Sequence, residues 1–214
     1  MFKPPSSLTV WCDKREKTYR AKFPLTIRLL SPSGSPFLAT LRAVPQTLGT
    51  GDYCLAGEAH EGVIEKKSSL LELKNYLFGA GKSKFLGPQG QLDRLEQESR
   101  FPWVLLDIPP GSIYDTSRMD YPEHVVNAIG TLMLERPRIR WVWCWGGAGD
   151  SGRYVAGQFI VRLLWSSHLA FLKGEPCPVS KIESSLKTVL STLPATIKGL
   201  LANSARPFLW QDSR

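Results

Sequence analysis

The chain has 214 residues, of which 43% are hydrophobic and 21% charged, the balance of an ordinary globular protein. That composition excludes a disordered, collagen-like or repeat-array chain, and a protein this long buries roughly 70% of its unfolded surface without a metal or disulfide staple. Lysine and arginine number 27 against 19 acids, and the net charge of +8 points to a polyanionic partner, either nucleic acid or an anionic membrane.

Membrane insertion is not expected. The longest apolar candidate is interrupted by Arg162, and the apolar stretch after Pro4-Pro5 is too short for a secretory core. The four cysteines (Cys12, Cys54, Cys144, Cys177) form no C-x-x-C pair, and His60, His124 and His168 are scattered, so no zinc spacing exists. Buried, reduced thiols in a cytosolic protein are expected.

In chain order, residues 8–12 form a first β-rich run, ending at Asp13. Residues 14–35 are basic, then rich in Ser, Pro and Gly, and read as a loop or ragged hairpin. A strand over 37–44 follows, then two strands at 51–55 and 62–67 joined by a turn through Gly57. Ser68-Ser69 caps a helix whose apolar face is Leu70, Leu71, Leu73, Leu77 and Phe78. A glycine-rich basic loop over 79–90 leads into a polar helix at 91–100 and a buried strand at 101–108. A helix near 122–135, a strand at 141–145 and an amphipathic helix at 151–167 complete the pattern. Strands alternating with helices predict an α/β fold, a central mixed sheet flanked by helices over residues 1–174. Residues 175–214 are expected to form a short helical C-terminal extension.

Two glycine motifs do not predict a nucleotide cofactor. Gly79-Ala80-Gly81-Lys82-Ser83 lacks the earlier glycine of a Walker A loop, since Tyr76 stands there, and a helical pattern precedes it. Gly147-Ala148-Gly149-Asp150-Ser151-Gly152 spells G-x-G-x-x-G, but no complete βαβ unit follows, and a strand-to-helix turn explains it. Alternating Trp141, Trp143 and Trp145 read as core packing before base stacking.

The pattern that carries chemistry is Gly51-Asp52-Tyr53, with Glu65-Lys66-Lys67 beginning thirteen residues after Asp52. Alternation in a strand puts Glu65 and Lys67 on one face and Lys66 on the other, and hairpin pairing lets Asp52 approach the same spot. Two converging carboxylates make a hard-oxygen site for Mg²⁺ or Mn²⁺, and a neighbouring lysine orients water or neutralises a phosphate. This acid, acid-x-lysine order is that of PD-(D/E)xK nucleases. Lys14, Arg15, Lys17, Arg20, Lys22, Lys66, Lys74, Lys82, Lys84 and Arg94 supply a basic track for DNA, with Lys14, Lys66, Lys82, Lys84 and Arg94 the contacts expected.

Four blocks add a family resemblance. Asp13-Lys14-Arg15-Glu16 follows a first strand, Val44 to Tyr53 runs into Gly-Asp-Tyr, Val63-Ile64-Glu65-Lys66-Lys67-Ser68 forms the centre, and Pro102 to Asp107 supplies a later strand. In this order they resemble the XPF/Hef-type structure-selective nuclease domain, with Lys66 where the family has arginine; compact bacteriophage and prophage versions look similar. The resemblance implies a restriction-endonuclease-like fold and Mg²⁺- or Mn²⁺-dependent endonuclease activity on branched or flap DNA. It implies a homodimer through this domain, for which the 151–167 helix offers apolar surface. It assigns Asp52, Glu65 and Asp13 to metal, Lys67 to the attacking water, and Arg15 and Glu16 to support of the site. Asp13 also reads as a strand-end turn residue, and Arg15 with Glu16 as an internal ion pair. One departure is Leu71, which replaces a family aspartate, with Glu72 expected to point elsewhere. The other is the absence of tandem helix-hairpin-helix modules. A Holliday-junction or recombination nuclease and an inactive DNA-binding scaffold are the alternative functions.

Overall fold

A computed structural model describes residues 3–16, 21–57, 61–78, 88–114, 122–144 and 149–174. The strands and helices expected up to residue 167 all appear, and every described residue falls within one unit, Met1–Cys177. The extension expected over 175–214 lies outside the described residues, as do Lys17, Arg20, Lys82, Lys84, Trp145 and Cys177.

Seven strands form one mixed sheet in the order β2-β3-β1-β4-β5-β6-β7. They are β1 (Ser7–Asp13), β2 (Thr26–Leu30), β3 (Pro36–Gln46), β4 (Tyr53–Leu55), β5 (Gly62–Lys67), β6 (Phe101–Leu106) and β7 (Arg140–Trp143). The helices are α1 (Leu70–Phe78), α2 (Pro88–Glu98), α3 (Pro122–Glu135) and α4 (Gly149–Leu172), with a 3-10 turn over Pro110–Tyr114. Pairs β1–β3, β5–β6 and β6–β7 are parallel, whereas β1–β4, β2–β3 and β4–β5 are antiparallel. This is the expected mixed α/β architecture, with helices on both faces.

Alternation decides which side chains go to which layer. On one face Val10, Ile27, Leu29, Leu41, Tyr53 and Ile64 pack beneath α4, which contributes Ile160, Leu164 and Trp165. On the other face Cys54, Val63, Val104 and Leu106 pack beneath α1, α2 and α3, which contribute Leu73, Leu92, Leu95, Val125 and Ile129. β6 is therefore covered on both sides and reads as a nearly continuous apolar run, whereas β5 is apolar only up to Ile64 before Glu65, Lys66 and Lys67. Trp141 and Trp143 are half-buried against the second layer, as packing residues. Cys12, Cys54 and Cys144 are buried, and burial pushes the Cys54 thiol up to about 12 and the Cys144 thiol up to about 11.

Three sequence expectations change. The 14–35 segment contains a regular strand, β2, whose Ile27 and Leu29 are buried while Thr26, Arg28 and Leu30 are exposed. On α1 the buried face is Leu73, Tyr76 and Leu77, and Leu71 and Phe78 face outward. Helix α4 runs 24 residues and is long and apolar enough to cross a membrane, yet eight of its residues are buried inside the molecule. Much of the apolar surface that the 151–167 helix was expected to offer a second copy is used here: Ile160 and Leu164 are buried, Phe159 and Leu163 pack on the core, and Val155 is exposed. The approach of α4 is close at Gly157, where a Cβ would stand 2.0 Å from the carbonyl oxygen of Lys22.

Candidate active site

Beyond the carboxyl ends of β1, β5 and β6, main-chain pairing brings four segments together. The Asp13 N–H donates to the Asp52 carbonyl, and the Asp52 N–H donates to the Ile64 carbonyl, each at 2.8 Å. Asp52 is thereby wedged between the ends of β1 and β5. Gly51 makes this entry into β4 with φ +67°, and a Cβ there would lie 2.3 Å from Val63 Cγ1, so both the turn and the close approach require glycine.

Tyr53 pairs with Ile64, which makes Asp52 and Glu65 cross-strand neighbours. Asp52 Oδ2 accepts the Lys66 N–H at 2.7 Å. Burial lifts the Asp52 carboxyl well above its ordinary range, and the negative charges of Glu65 and Glu16 lift it further, outweighing the Lys66 N–H and the Lys67 charge. Two acids forced together in this way form a hard-oxygen donor pair with unbalanced negative charge. Mg²⁺ suits such a pair, because it uses one or two carboxylates and completes its shell with water and substrate phosphate. Among the described residues no group of three or more His, Cys, Asp or Glu side chains forms a ready metal cage.

Lys67 stands over this pair. Its Nζ lies 2.6 Å from Glu65 Oε1, 3.7 Å from Glu72 Oε1 and 4.3 Å from the centre of the Tyr76 ring. Burial pulls its pKa down, but the charge and hydrogen bond of Glu65 prevail and the pKa is raised, so Lys67 is a charged donor.

Asp13 is buried next to Asp52, with its carboxylate already occupied. Oδ1 accepts the Arg15 N–H at 2.7 Å and Arg15 Nε at 2.8 Å; Oδ2 accepts Arg15 Nη2 at 2.7 Å and the Leu48 N–H at 3.1 Å. Burial opposes the charge, and these bonds outweigh it and hold the pKa below its ordinary value. All four lone-pair directions are used, so the expectation that Asp13 ligates an ion does not fit; its geometry is that of a clamp on the 46–48 segment. Arg15 pairs with Asp13, not with Glu16.

Lys66 also departs from expectation. Its side chain is fully buried on the opposite face, with Nζ 3.3 Å from Glu16 Oε1, 3.9 Å from Asp107 Oδ2, and bonded to Ser68 Oγ. A lysine sealed beneath α4 is a tie between strand ends and not a DNA contact. Glu16 joins the group by holding Lys66. Of the remaining track, Lys14 is exposed, Lys22 pairs with Asp150 at the start of α4, and Lys74 and Arg94 are half-buried.

Two members of the site escaped the sequence reading. Glu72 turns inward: its N–H donates to Ser69 Oγ at 3.1 Å, and its Oε2 accepts the Ser68 N–H at 2.8 Å. This is a capping box variant, legible as Ser69-x-x-Glu72, and it aims Glu72 at Lys67. Tyr76 lies one further turn along the same face of α1. It is buried, and its hydroxyl finds no hydrogen-bond partner among the described residues. If the ring is what holds the Lys67 ammonium, Tyr76→Phe keeps full activity and gains about 1 kcal/mol of stability by deleting an orphaned hydroxyl. Tyr76→Leu then loses roughly tenfold in kcat. Equal losses in both variants, measured by single-turnover cleavage and urea unfolding, would reject that role.

Comparison with known proteins finds no matching family model and no matching curated protein. Among solved structures the chain is similar to XPF from Aeropyrum pernix, at 20% identity and a TM-score of 0.45, over 74% of this chain and 61% of that one. The chain thus spans about three fifths of the length of that protein.

Proposed function

We propose that the protein is a metal-dependent endonuclease that hydrolyses phosphodiester bonds of DNA at branched or flap structures. The observation that carries this reading is the juxtaposition of Asp52, Glu65 and the Lys67 ammonium at the end of the sheet. The four sequence blocks resembling XPF/Hef-type domains support the substrate class.

Asp52 and Glu65 would hold Mg²⁺ or Mn²⁺, which when bound supplies an activated water and offsets charge on the phosphate. Glu65 has a double task, since the same carboxylate anchors Lys67 at 2.6 Å. Lys67, kept protonated by that contact, donates to a non-bridging phosphate oxygen or to the incoming water and stabilises the charge that develops there. Tyr76 and Glu72 restrict where its ammonium can go. Asp13, Arg15 and Leu48 fix the loop leading into Gly51, and Lys66 with Glu16 and Asp107 fixes the strand ends behind the site.

The test is cleavage of labelled flap, splayed-arm, four-way-junction and plain duplex DNA with Mg²⁺ or Mn²⁺. Wild type is expected to cut the branched substrates and Glu65→Ala none of them. A folded wild type that binds branched DNA in EDTA, but never cuts after either metal is restored, would assign the protein instead as a scaffold.

A further inference from the structure

We infer that the edge of the sheet left bare among the described residues beside the candidate site, formed by β2 and β3, is the surface along which the backbone of duplex DNA lies. This rests on the nucleic-acid reading above and extends it to a part of the chain that reading does not use.

The bare surface follows from how the helices are distributed. Helix α4 covers one face of β2 and β3 through Ile27, Leu29, Ala39 and Leu41. On the opposite face α1, α2 and α3 pack over β4 to β7, and their apolar layer contains no residue of β2 or β3. Alternation therefore presents Thr26, Arg28, Leu38, Thr40, Arg42 and Val44 to solvent on the side where Asp13, Asp52 and Glu65 also emerge, and all six are exposed.

Charge selects the occupant. Neither β2 nor β3 contains an acidic residue. Arg15, Arg136 and Arg153 are spent on internal ion pairs. Arg28 and Arg42 have no ion-pair or hydrogen-bond partner among the described residues, and Lys14 stands exposed where β1 ends. Guanidinium groups beside threonine hydroxyls are the equipment for phosphate contacts, and Leu38 and Val44 between them can pack against deoxyribose.

The register places these groups in line with the site. Arg28 lies opposite Leu38, Arg42 opposite Thr9, and Asp13 opposite Gln46. Leu38 to Gln46 spans about 26 Å along β3. That is about eight base pairs of duplex at 3.4 Å each, leading from Arg28 to the reacting centre. The sheet thus carries a gripping surface of its own beside the candidate site.

The test is equilibrium binding of fluorescent branched DNA in EDTA over a salt series, with light scattering on each protein. The double variant Arg28→Gln/Arg42→Gln is expected to bind about tenfold more weakly at low salt, with the log–log salt slope reduced by about two. Arg162→Gln, on the exposed side of α4, removes charge elsewhere and is expected to bind as wild type. Wild-type affinity in the double variant overturns the inference, as does an equal loss in Arg162→Gln, which would reduce the effect to net charge. A wild-type dimer that becomes monomeric in the double variant also overturns it, because the face would then join two copies. If wild type binds no DNA, the functional reading fails as well. If wild type binds and cuts while the double variant binds equally, only this inference fails.

Discussion

Asp52→Asn is expected to reduce metal-dependent cleavage by more than about 100-fold, the upper range for losing a group that merely supports a metal ligand, while raising the melting temperature of the metal-free protein. The two effects have one origin. Asn keeps an oxygen for the Lys66 N–H but carries no charge toward Glu65 and Glu16, so the repulsion built into the site disappears together with the donor pair. The sign of the pH dependence follows. The folded-state pKa of Asp52 is raised above its ordinary 3.8 by burial first and by Glu65 second, so the folded protein holds the proton more firmly than the unfolded chain. The associated stability is complete below 3.8 and is lost as pH rises through the elevated folded value. The gap in melting temperature between variant and wild type should therefore open toward neutral pH and close in acid. Mg²⁺ should raise the melting temperature of wild type and leave the variant unmoved. A variant that melts below wild type at neutral pH and still cuts would show that Asp52 belongs to the scaffold and not to the chemistry.

Gly157→Ala is expected to destabilise the fold by about 3 kcal/mol or more, lowering the melting temperature by roughly 6–12 °C. Helix propensity alone predicts the opposite sign, a gain of about 1 kcal/mol for replacing an interior glycine. What reverses it is that the added Cβ would stand 2.0 Å from the Lys22 carbonyl oxygen and 2.8 Å from its carbon, atoms of main chain that cannot rotate aside. The segment is also tied to the helix, because the Lys22 N–H donates to the Arg153 carbonyl at 3.0 Å. Gly130→Ala on α3 is the matched control. Nothing lies within 4 Å of its added Cβ, so there the propensity gain should appear. Equal melting shifts in the two variants would refute the packing argument.

The strand ends and their acids were legible because their signals are local. Gly51-Asp52 needs a positive φ and a close crossing, and period-two alternation in 62–67 already separates Glu65 and Lys67 from Lys66. What alternation does not convey is whether a face is covered. Lys66 faces a layer closed by α4, about a hundred residues later, so its burial depends on tertiary structure and its reading as a DNA contact failed there. Glu72 was misdirected for a different reason. Its bearing depends on where α1 starts, and with Ser69 as the cap the third residue of the helix turns back toward β5. β2 was hidden by its setting: five residues with two buried side chains follow a basic stretch and precede a Ser-Pro-Gly turn, so Ile27 and Leu29 had too little context to stand out.

The arrangement of β5 gives the protein a built-in proofreading of its own folding. Its last three side chains, Glu65, Lys66 and Lys67, point alternately to two unlike environments, and the main chain of Lys66 is pinned by Asp52 while its ammonium is neutralised on the other side. A shift of one residue in the pairing of β4 with β5 would exchange those environments, driving Glu65 and Lys67 into the hydrocarbon beneath α4 and stranding Lys66 beside Asp52. Such a misaligned chain would carry the Glu65–Lys67 ion pair into the apolar layer and lack the donor pair. On the proposed reading, hydrolytic competence and correct strand alignment are a single property of this molecule, and a misfolded copy would be disarmed by the same error that destabilises it.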